Sequence, residues 1–161
     1  MAQILQALRR DGNNVPLQDK DGLMQSKTVT FAGGTTNDIG DYDGTGNPAT
    51  LFTVTGDVVL RVIAICKASL AGASATLEVG FTGNTAALIA QTTATDIDIN
   101  EIWHDSTPDA LVELETVGAA RIVSNGQDVI QTVATANITS GSIIYYCFWR
   151  PLSSDGLVEA A

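Results

Sequence analysis

Histidine is almost missing from this chain of 161 residues: the only one is His104, in Trp103-His104-Asp105. A nucleophilic triad needs a base, a carboxylate that orients it and a nucleophile within reach. On a strand, Asp105 would point away from His104, and Ser140 and Ser142 lie in an ordinary Thr-Ser-Gly-Ser turn, not a nucleophile elbow. His104 therefore reads as a surface or interface residue. Cysteine is nearly as scarce. Cys66 and Cys147 stand far apart, so with one histidine they lack the close ligand spacing of a zinc centre. Both sit in apolar runs and read as buried free thiols, with a cross-strand disulfide as the alternative. Walker and dinucleotide-binding loops are also missing, since Gly44-Thr45-Gly46 leads into Asn-Pro and not into a helix. No cofactor is expected.

Positive charge is short as well: 8 Lys and Arg stand against 18 Asp and Glu, for a net charge of −10. Nucleic-acid binding demands a basic footprint, and an anionic membrane surface attracts one, so neither is an expected partner. No apolar run approaches the roughly 20 residues of a membrane-spanning helix. The first residues, MAQILQALRRDGNN, place apolar side chains before arginines, the reverse of a secretory signal, so none is expected. Only nine aromatics are present, few for the platforms of a glycan-cleaving carboxylate pair, and an enzyme is not expected.

What is abundant is β-branched: 19 Thr, 13 Val and 13 Ile, residues that suit a pleated sheet and sit poorly in helices. Fifteen glycines supply turns, and only four prolines interrupt strands. Short alternating or apolar runs at 27–31, 49–55, 57–66, 74–81, 85–91, 96–103, 110–117, 120–124, 127–135 and 142–150 are separated by turn clusters. Asn125-Gly126 carries the signature of a two-residue hairpin. The chain reads as all-β, a two-sheet sandwich of jelly-roll type over 27–161, with an extended N-terminal arm over 1–26.

The arm differs in kind from the body. Its charges cancel, whereas residues 27–161 hold 5 basic and 15 acidic residues and carry the whole −10. Ile4, Leu5 and Leu8 beside Arg9 and Arg10 suit a docking arm: apolar side chains fill a groove while guanidinium groups pair with carboxylates at its rim. In the body, the runs 58–66 and 143–149 are apolar at almost every position. Either they are central strands in one thick core, or part of their surface, with Ile143, Tyr145 and Trp149 as candidates, forms a subunit interface.

Carboxylates are the remaining chemistry. Asp96, Asp98 and Asn100 would share one strand face and match the opening of a calcium loop, but Glu101 and Thr107 occupy the positions where such a loop needs Gly and Glu. What survives is a weak, irregular cation site there, or in the loop holding Asp38, Asp41 and Asp43. The plain alternative is a solvated face and a turn-forming Asp-Gly loop.

Three stretches, GDYDGTGNPATLFTVTGDVVLRVIAICKASL (40–70), TLEVGFTGNTAALIAQTTATDI (76–97) and RIVSNGQDVIQTVATANITSGSIIYYCFWRPLSSDG (121–156), resemble the head decoration, or cement, proteins of tailed bacteriophages. The resemblance implies a structural protein, made in the host bacterial cytoplasm, that binds the major capsid protein on the outside of an assembled head. It also implies a homo-oligomer, with three subunits the expected count. A phage tail or receptor-binding β-module is the competing expectation.

Overall fold

A computed structural model describes residues 22–34, 38–114 and 117–161. The β-branched runs form eleven strands: β1 (Leu23–Thr30), β2 (Ala49–Thr55), β3 (Val58–Ala71), β4 (Thr76–Phe81), β5 (Asn84–Thr93), β6 (Glu101–Trp103), β7 (Asp109–Ala110), β8 (Arg121–Val123), β9 (Val129–Ala134), β10 (Ser140–Pro151) and β11 (Leu157–Ala160). One 3-10 turn, Ala94–Asp96, is the only helical piece among the described residues.

The pairing follows a simple rule. β1 lies against β10, β2 against β9, β3 against both β6 and β8, and β4 against β5, all antiparallel. Early strands thus pair with late ones and middle strands with each other, as in one long hairpin rolled up. Rolling it produces two sheets, ordered β1-β10-β3-β6-β7 (with β8 also on β3) and β11-β2-β9-β4-β5. That is the jelly-roll arrangement, with β11 added at one edge.

Alternation decides which face of each strand is buried. On β3, Val58, Leu60, Val62, Ala64 and Cys66 point between the sheets. On β10, Ile143, Tyr145, Cys147 and Trp149 do the same, and the opposite sheet contributes Leu51, Phe52, Leu77, Val79, Ile89, Val129 and Val133. Ile143 and Tyr145 are fully buried and Trp149 is 4% exposed. These three side chains therefore belong to the subunit's own core and are not free to form an oligomer interface. The residues between them, Ile144, Tyr146 and Phe148, face outward beside Ile63 and Ile65 of β3 and are half-buried. The two doubly apolar runs are central strands, and their excess apolar surface lies on the outer face.

Two features differ from the pattern in the sequence. Leu23–Ser26 pair with Trp149–Tyr146, so the first four residues of β1 belong to the sheet and not to an arm. Ile4, Leu5, Leu8, Arg9 and Arg10 lie outside the described residues. Asn125 and Gly126 do adopt left-handed backbone, φ 57° and 66°, but they join β8 to β9, which sit in different sheets. The turn carries the chain across the sandwich instead of closing a hairpin.

The cysteines illustrate how register limits chemistry. Cys66 stands opposite Ile143, and Cys147 opposite Val62, on the same inner face. Four rungs of about 3.3 Å separate them, too far for a disulfide. Both are free and buried.

Candidate functional site

The partner of β3 is a broken strand. β6 pairs at Ala64 and Ile65, β8 pairs at Val58, Val59 and Leu60, and between them the chain leaves the edge of β3, touching the sheet again at β7, which pairs with β6. Gly118, at φ 83°, fills the gap against the Val62 carbonyl, where an added Cβ would sit 3.1 Å from the oxygen. Arg61 holds the returning end: its guanidinium donates to the Val117 carbonyl (3.2 Å) and lies 4.6 Å from the centre of the Phe148 ring. The departing end is anchored by Trp103, which is fully buried, meets Tyr145 edge-on at 6.3 Å and donates its indole N–H to Thr92 Oγ1 (2.9 Å). The Thr92 hydroxyl in turn faces the carbonyls of Ala90 (3.0 Å) and Asp105 (3.1 Å), one of which accepts its proton.

This excursion carries the main cluster of ionisable groups. His104 is partly buried, its side chain 11% exposed. Because β6 ends at Trp103, Asp105 is free of strand alternation, and its carboxylate comes within 3.7 Å of His104 Nδ1. The other ring nitrogen, Nε2, faces Asp109 Oδ2 at 3.8 Å and Glu113 Oε2 at 3.7 Å. That nitrogen is buried and has no hydrogen-bond partner among the described residues.

The carboxylates are themselves held in place. Asp105 Oδ1 accepts from the Thr107 N–H (2.7 Å) and Glu113 Oε1 from the Leu114 N–H (2.8 Å), which leaves their second oxygens turned to the ring. The Leu114 N–H, followed by Asp109 and His104, holds the Glu113 carboxyl below the ordinary carboxylate range, so it is an anion at neutral pH. Beside the cluster a cleft of about 320 Å³ opens between β5 and the returning loop, with His104 and Asp105 at its wall and Arg121 beside them.

The same loop exposes apolar side chains. Leu111, Val112 and Leu114 are 76%, 82% and 72% exposed, and Ile122 on β8 is 77% exposed. Residues 110–117 alternate as a strand would, but among the described residues the only regular structure here is β7, at Asp109–Ala110, paired with β6.

Other sequence candidates fare differently. Asp96 ends the 3-10 turn and Asn100 has φ 71°, while Ile97 is buried and Ile99 is 55% exposed, so Asp96, Asp98 and Asn100 do not share a strand face. Asp98 is tied instead to Glu101, whose carboxylate accepts its N–H at 2.7 Å. Asp41 is buried in the loop beside β9, where Asn47 imitates a strand by accepting from Val133 N–H (2.9 Å) and donating to the Val133 carbonyl (2.7 Å). Among the described residues, the three donors that come together are His104, Asp109 and Glu113, whose ligand atoms all lie within 4.8 Å of one another. The sequence offered only a histidine followed by carboxylates five and nine positions later, a spacing that no single strand or helix face brings together. No family model, curated protein or solved structure matches this chain.

Proposed function

We propose that this protein is a structural binding module that decorates the outside of an assembled tailed-phage head. The observation that carries the reading on the structural side is the apolar strip Leu111, Val112 and Leu114, three large side chains exposed within four residues on a loop that leaves the sheet. A soluble protein rarely leaves such a strip bare unless a partner covers it. Burying each side chain contributes roughly 1.5–3 kcal/mol before ordering costs. The sequence resemblance supplies the partner, the major capsid protein, and a jelly-roll sandwich is a rigid support for such a loop.

The test is co-sedimentation with undecorated shells. Intact protein should pellet with the shells, and a Val112→Asp/Leu114→Asp variant that retains its circular dichroism should lose most of that binding. Gold labelling of virions should mark heads. Label on tails would instead favour a tail module, and shell binding untouched by the double substitution would remove the strip from the interface.

A further inference from the structure

We propose that His104, Asp109 and Glu113 form a binding site for one divalent transition-metal ion of the zinc, cobalt or nickel type. The first support is the donor set. An imidazole nitrogen and two carboxylate oxygens lie within 4.8 Å of one another, and an imidazole in the set favours transition metals over magnesium or calcium, which take oxygen donors. The second is the condition of the histidine. Nε2 is buried, lacks a hydrogen-bond partner among the described residues, and points at both carboxylates. A buried polar atom without a partner is costly, and a cation between these groups would satisfy it.

Distances fit with little adjustment. Metal–ligand bonds of about 2.0–2.2 Å span donor pairs about 3.4 Å apart in a tetrahedral site. The Nε2–oxygen separations are 3.7 and 3.8 Å, within a few tenths of an ångström of that span, and the two carboxylate oxygens, inside the 4.8 Å limit of the cluster, close around the ion by side-chain rotation. Asp105 completes the pattern from the far side. Its carboxylate faces Nδ1 at 3.7 Å, longer than a hydrogen bond, and on closing it would fix the tautomer that leaves Nε2 free to ligate.

Ligation would tie the end of β6, the start of β7 and Glu113 to one point. Those ties bracket Leu111 and Val112 and adjoin Leu114, so the ion orders the loop that displays the apolar strip. This inference does not depend on what the strip binds, because the ion needs only the chain itself.

The experiment uses full-length protein stripped with a chelator and titrated calorimetrically with zinc chloride, with cobalt absorption as a second readout. One ion per chain is expected, with Asp109→Asn and Glu113→Gln each weakening binding strongly, and Asp105→Asn weakening it about 10–100-fold. Zinc should also slow hydrogen exchange in peptides from 105–114 in the wild type and not in Glu113→Gln. Asp109 and Glu113 are the deciding positions, since His104→Gln, at the least exposed of the three, is the variant at risk of misfolding. Absence of zinc binding at millimolar concentration, binding that survives both carboxylate substitutions, or equal binding of calcium would each overturn the proposal.

Discussion

At the level of single residues, burial changes chemistry most at the two thiols. Cys147 lies among core side chains and its thiol is pushed up to about 12 by burial alone. Cys66 is pushed up to about 11, first by burial and then by the negative charges of Glu101 and Asp98. Both start from an ordinary value of 9.0, and the phenol of Tyr145, buried between them in sequence, moves in the same direction. A folded-state pKa above the unfolded one stabilises the fold fully below the unfolded value, and that contribution is lost as pH rises through the folded value. Stability should therefore fall between pH 9 and about 12, because the unfolded chain ionises its thiols while the folded chain keeps them protonated. Urea midpoints measured across that window should drop less steeply in a Cys66→Ala/Cys147→Ala variant, with some slope remaining from Tyr145. An unchanged slope would mean the thiols are not the groups responsible. That both cysteines are buried was readable from the apolar runs around them; that they sit four rungs apart was not, because register depends on how β3 meets β10.

Among the elements, those with a long alternating run were legible, and those that depend on a neighbour were not. β2 coincides with its sequence run at 49–55, and β10 extends a residue or two beyond 142–150. The runs at 96–103 and 110–117 have the same period but, among the described residues, little strand, since a strand exists only where an edge is free to pair with it. Along β3 the place beside residues 61–63 is taken by the turn at Gly118, so 111–114 has no ladder to join. The same blindness hid the His104 cluster, because its carboxylates approach only once the chain leaves the sheet. Turn chemistry, by contrast, read correctly at Asn125-Gly126 in its dihedrals and wrongly in its topology. Gly126 has φ 66°, and a Cβ there would lie 2.8 Å from the Val54 carbonyl oxygen. Gly83 has φ 89° and open space around it. Gly83→Ala should cost about 1–2 kcal/mol, the left-handed penalty alone, and Gly126→Ala should cost more because backbone must also move. Denaturant unfolding of the two variants checks the order, and equal losses would show that the crossing turn adapts freely.

Considered as a whole molecule, the protein sets two tendencies against each other. The body carries the full charge of −10, so copies repel. Yet the outer face of β10 and β3 presents Ile144, Tyr146, Phe148, Ile63 and Ile65 only half covered, with Met24 on β1 beside them at 54% exposure. Apolar contact acts over a few ångströms, whereas repulsion reaches about 30 Å at 0.01 M salt and about 10 Å at 0.1 M. If the self-association that the sequence resemblance implies uses this outer face, salt should promote it. Sedimentation equilibrium at micromolar concentration should show more oligomer, three subunits being the expected count, at 0.1 M than at 0.01 M. Phe148→Glu should hold the chain as a monomer at both, since it adds charge to the centre of the face without touching the inward core of Ile143, Tyr145 and Trp149. A wild type that stays monomeric as salt rises would place the assembly step on the partner surface, with each subunit docking singly. An oligomer that persists in Phe148→Glu would move the interface to the exposed strip at Leu111, Val112 and Leu114, where the same measurement on Val112→Asp/Leu114→Asp would locate it.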